Sequence, residues 1–303
     1  MHTYGPVPSR RLGRSIGVSP IPSKTCSYSC VYCQLGSTTN FTIQRDSFFD
    51  REDILQELIN RVKDSDADFI TYVGDGEPTL CSDLGWLIGR TQQYTDLPIA
   101  VITNGSLLYN KSVQNELQNA DIVMPSIDAG DEKTFQNINR AHKNLEFTEI
   151  VQGIIEFNKI FQGELWTETM LVQGYNDSEE QLNKINGIID KIKPKKSFTM
   201  IPSRPPVEDV HPPKPDNLLY AQKTISNTEA IDNIEEGNFN INNYNNLAEA
   251  LNEISKRHPL RKNQAHFIAK QFKQENNLEE LISEGKFVIK KYTKHEYILP
   301  SKL

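Results

Sequence analysis

The 303-residue sequence predicts an α/β fold: a partial (β/α)6 TIM-like barrel, open on one side, followed by a C-terminal module of winged helix-turn-helix type. Three observations carry that expectation. Strand-like apolar runs alternate with helix-spaced stretches up to about residue 201, the pattern of a parallel sheet with crossover helices. Six such units fall short of the eight that close a barrel. From Tyr244 onward the alternation stops, and three helices followed by a hairpin replace it.

The elements follow in order. Residues 16–21 form the first strand. Residues 52–63 place Ile54, Leu55, Leu58, Ile59 and Val62 on one helical face. A strand at 69–73 ends in glycines, and a helix spans 84–93. The strand at 99–103 ends at Asn104-Gly105 and precedes a helix at 112–119. Strand 122–127 leads to helices at 131–140 and 147–157. Strand 165–172, helix 179–192 and the sixth strand at 197–201 complete the barrel. Prolines crowd residues 202–215, so that stretch reads as an extended crossing segment. A helix at 216–227 and a polar, asparagine-rich linker up to 243 follow. Residues 246–257 carry Leu247, Leu251 and Ile254 on one side. Pro259 opens a second helix, and a third at 278–284 stops at Gly285. Strands at 287–292 and 295–299 form the hairpin. The predicted domains are 1–215, the helix and linker 216–243, and the module 244–303.

No apolar run reaches the roughly eighteen residues of a membrane-spanning helix. The first residues lack the apolar core of a secretory signal, so a cytoplasmic protein is expected. The net charge of −7 argues against affinity of the whole protein for nucleic acid. The charge is uneven, however: from Tyr244 there are eleven Lys and Arg against seven Asp and Glu. The basic module has three readings: binding phosphates of nucleic acid, binding a peptide or protein, or covering the open side of the barrel.

Three of the four cysteines, Cys26, Cys30 and Cys33, lie within eight residues. In a chain of this kind such clustering points to metal or redox chemistry rather than to a disulfide framework. Three thiolates on one short loop suit three irons of a cubane cluster, leaving a fourth iron open to a chelating cofactor. The competing reading is a zinc site, although zinc ligands usually come as two Cys/His pairs and no second pair lies nearby. Cys81 reads as a buried apolar residue, with a radical relay or a further ligand as the alternative.

The C-x3-C-x2-C spacing, with Tyr32 just before the last cysteine, resembles the radical S-adenosylmethionine (SAM) superfamily. The resemblance implies that Tyr32 flanks the adenine. Val73-Gly-Asp-Gly-Glu-Pro-Thr-Leu80 resembles the family's Gly-Gly-Glu-Pro motif with Asp75 inserted. It implies that the backbone at Gly74 and Gly76, together with Glu77, receives the methionyl amino group. The bland reading is a Gly-rich turn ahead of a helix. By the same resemblance Thr103 and Asn104 contact ribose or the methionyl carboxylate, Ser126 the ribose, and backbone near Val172 the adenine. Thr103-Asn104-Gly105 also reads simply as a strand-ending turn. Asp128 and Glu168 are the catalytic candidates on the substrate side. Asp128 could instead cap the helix near Asp131, and Glu168 could face solvent. Arg14, in the basic run at 8–14, is a candidate for the cofactor carboxylate or an anionic substrate; the alternative is a solvated arm. Arg140 and Arg204 invite the same two readings.

Residues 4–215 further resemble the branch of uncharacterised radical proteins near the wyosine-tRNA synthesis enzymes. Two departures stop the tRNA reaction from being carried over: no cysteine precedes Cys26, and the barrel is acidic. The resemblance implies an iron–sulfur oxidoreductase with a [4Fe-4S] cluster, SAM and an external electron donor of flavodoxin or ferredoxin type. Its substrate would be an RNA base, a peptide or protein, or a small molecule. The rival from another class is a non-catalytic, zinc-containing regulatory or nucleic-acid-binding protein.

Overall fold

The computed structural model describes residues 1–63, 65–230, 239–241 and 244–301. Of the predicted linker, residues 231–238 and 242–243 lie outside the described residues. The chain begins with a hairpin, β1 (Thr3–Ser9) and β2 (Gly13–Val18). A long loop carries two short strands, β3 (Thr25–Cys26) and β4 (Asn40–Phe41). Then come α1 (Arg51–Lys63), β5 (Phe69–Tyr72), α2 (Leu84–Thr91), β6 (Ile99–Thr103), α3 (Lys111–Glu116), β7 (Ile122–Pro125), α4 (Glu132–Ile138) and α5 (Phe147–Ile160). The barrel ends with β8 (Glu164–Met170), α6 (Glu179–Ile192), β9 (Lys196–Met200), α7 (Pro215–Thr224) and β10 (Thr228–Ala230). The sheet order is β1-β2-β5-β6-β7-β8-β9-β10. All pairs are parallel except β1 with β2. The strands thus follow one another in chain order, as a singly wound, open barrel does.

The six predicted strands are all present, and two more flank them. The first, β1, contains Pro6 and Pro8 and a register irregularity between Tyr4 and Val7. Proline is tolerated at such an edge, but it hides the strand from a pattern search. Two side chains of α1 hold it: Glu57 accepts from the His2 and Thr3 amides at 2.8 and 2.9 Å, and Arg61 donates to the Thr3 hydroxyl and the Gly5 carbonyl, both at 2.8 Å. The second, β10, is three residues long and pairs with β9 at the other edge, in what the sequence reads as linker. The helix after β7 is capped by Asp131, which accepts from the Thr134 amide at 2.9 Å; Asp128 does not cap it.

The C-terminal module comprises α8 (Leu247–Arg257), β11 (Leu260–Arg261), α9 (Lys262–Gln271), α10 (Glu275–Ser283), β12 (Phe287–Tyr292) and β13 (His295–Pro300). Its antiparallel sheet runs β11-β13-β12. Its core, built on Leu251, Ile254, Leu260, Ile268 and Leu278, is continuous with Tyr4 and Val7 of β1. Residues 202–212 form neither helix nor strand, bending at 204 and 207–209 instead of running extended, and pass between module and barrel. The Tyr292 hydroxyl donates to the Val210 carbonyl at 3.0 Å, and the Val207 amide donates to the Cys33 carbonyl at 2.9 Å. The module is therefore docked on the barrel.

Because the core of the module takes in Tyr4 and Val7 of β1, Leu251→Ala should lower the stability of the whole chain, by about 3 kcal/mol for a fully buried leucine. Urea denaturation followed by far-UV circular dichroism should show one transition at lower midpoint. A separate early transition confined to the module would contradict the shared core.

Candidate active site

The cysteine loop leaves the C-terminal end of β2, and the site forms where that loop meets the ends of β5, β6, β7 and β8. Cys26 ends β3, whose pairing with β4 folds the loop back on itself. The three thiols are free and partly buried. Burial pushes Cys26 up to about 12, aided by the nearby Glu77 carboxylate. It also raises Cys30, with Asp128 adding to the effect, and Cys33. Two asparagine amides counter this cost. Asn104 Nδ2 donates to Cys26 Sγ at 3.6 Å, and Asn139 Nδ2 donates to Cys30 Sγ at 3.4 Å. Among the described residues, no three His, Cys, Asp or Glu side chains converge on a point that would hold one metal ion.

Glu77 is 1 % exposed, and both oxygens of its carboxylate accept hydrogen bonds. Oε1 accepts from the Thr79 amide (3.0 Å), the Thr79 hydroxyl (2.6 Å) and the Thr103 hydroxyl (2.6 Å). Oε2 accepts from the Asn104 amide at 2.7 Å. Burial raises its pKa, and these donors oppose the rise. Glu77 therefore braces the turn after β5 against the end of β6. Gly76 permits the next join. The Glu77 amide donates to the Thr25 carbonyl at 3.0 Å, and a Cβ on Gly76 would sit 1.8 Å from that same oxygen.

Asp128 is likewise occupied. It accepts from the Tyr32 hydroxyl, from Asn139 Nδ2 at 2.7 Å and, through Oδ1, from the Met170 amide at 2.8 Å. It holds the Tyr32 ring and the end of β8 in place, which makes it a positioning residue. Ser126 bridges to Glu168 across β7 and β8. Val172 is buried, its amide donating to Asn176 Oδ1 at 2.8 Å. Glu168 points into the barrel, where it pairs with Arg11. Both line a cavity of about 310 Å³ that reaches Tyr32, Cys33 and Gly74 at the mouth.

One predicted residue lies elsewhere. Arg14 sits at the N-terminal end of β2, paired with Asp66, its amide bonded to Asp68 Oδ2 at 2.7 Å. That is the end away from the cysteines, so Arg14 is no cofactor ligand. Its neighbour Arg11, across a turn with Gly13 at φ 63°, enters the barrel instead. Arg140 pairs with Glu208 at the surface. Cys81 is buried in the core.

Several partners escape a sequence reading. Asn139 and Asn176 are lone asparagines with no motif around them. The insertion Asp75 is explained by Arg257 at the end of α8: the two form an ion pair at 2.9 Å with both side chains about one-tenth exposed. Gln34 Nε2 donates to the Arg257 carbonyl at 2.9 Å, and Arg204 reaches both Gln34 and His258. The module thus touches both the glycine turn and the cysteine loop.

Residues 21–184 match the family model described as Radical SAM superfamily. A UPF0026 protein of Methanocaldococcus jannaschii is 36% identical over 302 residues, covering 95% of this chain and 92% of that protein. A Brachyspira hyodysenteriae protein named GTPase Obg is 46% identical over 192 residues; the match covers 63% of this chain and 28% of that much longer relative. A radical SAM methyltransferase from Sphaerobacter thermophilus shares the fold, with a TM-score of 0.54 at 13% identity over 71% of this chain and 66% of its own.

Glu77→Gln places an amide nitrogen among groups that all donate. It should cost about 2 kcal/mol. Thermal melting of the apoprotein should show a midpoint lower by several degrees. An unchanged midpoint would mean that the carboxylate is not the brace its contacts indicate.

Proposed function

Because the chain belongs to the radical SAM superfamily, we propose that Cys26, Cys30 and Cys33 hold three irons of a [4Fe-4S] cluster and that the barrel mouth binds SAM. Superfamily members use this cluster and this cofactor. The supporting observation is the thiol loop itself. Three partly buried thiols share it, and Asn104 and Asn139 aim amide hydrogens at two of the sulfurs. Buried thiols beside Glu77 and Asp128 resist ionisation until a cationic group compensates them, and a polynuclear iron centre supplies that compensation. Membership of the radical SAM superfamily weighs against the mononuclear zinc alternative.

When bound, the cluster supplies the electron that cleaves SAM to a 5′-deoxyadenosyl radical. The chain's own residues do the rest. Asn104 and Asn139 orient the thiolates. Asp128 fixes Tyr32 beside the last cysteine, where the ring flanks the adenine. Backbone at Gly74 and Gly76, with Thr103 and Ser126, lines the cofactor's bed, and Val172 backs it. Ile102, Met170 and Met200 wall the barrel chamber and exclude water. Glu168, held by Arg11, is the residue that faces the substrate. An external reductant of flavodoxin or ferredoxin type delivers the electron. No described helix is long and apolar enough to cross a membrane, and we place the enzyme in the cytoplasm.

We read residues 1–215 as the catalytic barrel and 244–303 as a winged-helix module. The order helix, strand, two helices, two strands, with β11 paired to β13, supports that reading. The third helix, α10, weighs against duplex binding. In a winged helix it would enter the major groove, yet its sequence ENNLEELIS carries three acids and no base. With α8 locked to Asp75 and Gln34, the module reads as the cover on the open side of the barrel.

Anaerobically purified protein should be brown and carry about four irons and four sulfides per chain. With dithionite and SAM it should form 5′-deoxyadenosine, and Cys30→Ala should lose both the iron and the product. A colourless protein with one zinc and no sulfide would overturn the proposal.

A further inference from the structure

The cysteine loop has two sides. Its inner side meets the barrel chamber, which reaches Tyr32 and Cys33. On its outer side, Phe41 of β4 pairs in register with Cys26, one strand spacing of about 5 Å away. The next amide, Thr42, donates to the Cys26 carbonyl at 3.1 Å, and the His142 amide donates to the Ser27 carbonyl at 2.9 Å. The Phe41 and His142 rings meet with centroids 5.2 Å apart, and Phe41 remains 43 % exposed. Neither ring lines the chamber. Together they form an aromatic patch at the surface, directly outside Cys26. Its surroundings are basic, in a chain of net charge −7: residues 22–45 and 133–145 contain no Asp or Glu. Arg45 and Arg140 in these stretches are paired, with Glu116 and Glu208. Lys24 and Lys143 take part in no ion pair among the described residues. Lys143 follows His142 and is exposed. Lys24 lies beside β4: its carbonyl accepts from the Thr39 and Asn40 amides, both at 3.1 Å. Its Nζ stands over Gly36, where a Cβ would come within 3.3 Å of it.

We propose that this patch is the docking surface for an acidic one-electron donor protein, with Phe41 and His142 as the central contact and Lys24 and Lys143 as the charged rim. The inference rests on the radical SAM reading above and adds the place where the reductant binds. One electron leaves the donor, which is oxidised, and enters the cluster, which is reduced, from the Cys26 side. No bond breaks and no proton moves in that step. Aromatic side chains are the usual anchors at the centre of an interface. Rim lysines steer an oppositely charged partner and set the rate of encounter more than the strength of the complex. That suits a donor that must dock, deliver one electron and leave, and redox interfaces of this kind are small. Donor and substrate can be bound together, because the patch and the chamber lie on opposite sides of the loop. A nucleic-acid strand fits less well, since two unpaired lysines neutralise few phosphates.

The test uses the full chain, anaerobically reconstituted with iron and sulfide, and two reductants: a purified acidic flavodoxin, and dithionite, which needs no docking surface. Calorimetric titration at low salt should show saturable flavodoxin binding that added salt weakens. Stopped-flow bleaching of the cluster's visible absorption then gives the rate of reduction by each. Lys143→Glu and Phe41→Ser should each weaken flavodoxin binding, and slow reduction by flavodoxin hydroquinone, about tenfold. Both should leave reduction by dithionite unchanged. Lys143 is exposed in the turn before α5, so its substitution leaves the fold intact. Lys270→Glu, exposed on α9 of the module, should alter neither the affinity nor the rates. No saturable flavodoxin binding, or binding that neither patch variant weakens, would overturn the proposal. So would equal slowing with dithionite, which would place the effect in the cluster and not in docking, or an RNA oligonucleotide that displaces flavodoxin. A wild-type chain that takes up no iron, or forms no 5′-deoxyadenosine with dithionite and SAM, would instead count against the radical reading.

Discussion

The site depends on a buried carboxylate that must find its hydrogen-bond donors within the fold. A charge at the depth of Glu77 is costly unless hydrogen bonds replace the lost water. The structure supplies four donors from two different loops. Satisfying Glu77 therefore locks the turn after β5 to the end of β6. Asn104, whose amide is one of those donors, passes the constraint on through its side chain to Ser27 and the Cys26 sulfur. Asp128 repeats the arrangement on the opposite side, joining Tyr32, Asn139 and the end of β8. Two acids thus fix the cysteine loop from both flanks.

The C-terminal module enters the same framework through α8. Arg257 meets Asp75, the residue inserted between the two motif glycines, and its carbonyl receives Gln34, the residue after Cys33. The cofactor bed is thereby referenced to the module as well as to the sheet. An appended nucleic-acid reader would need a free, basic helix. Here α10 is acidic, and the basic groups Arg261 and Lys294 turn toward the barrel.

What the sequence made legible was short-range. The alternation of strands and helices, the cysteine spacing and the Gly-Asp-Gly-Glu-Pro turn each lie within a few residues of one another, and all six predicted strands are present. What escaped was of two kinds. Some elements were masked by chemistry that local patterns penalise: β1 carries two prolines, and β10 is too short and polar to stand out. Other features were long-range. Asn139 reaches Cys30 across 109 positions and Gln34 reaches Arg257 across 223, separations at which one sequence holds no trace of contact. The reading of Arg14 failed because the basic run spans a hairpin turn, which sends Arg11 into the barrel and Arg14 to its far end. Glu77 and Asp128 stand at the strand ends where the sequence placed them, and the fold adds the partners that each one braces. A motif reveals that a carboxylate matters; only the fold reveals its partners.

The shared core of β1 and the module bears on how the protein is made. Ribosomes deliver residues in order, at roughly 5–20 per second, so Tyr4 and Val7 emerge well before their partners on α8 and α9. For most of synthesis the first strand has one apolar flank facing water. The barrel can assemble its other strands in this interval, since each packs on the one before. The flank is sealed only when α8 and α9 arrive. A nascent or truncated chain would expose that seam as a ready target for chaperones and proteases, so quality control would read the completeness of this enzyme at its first strand.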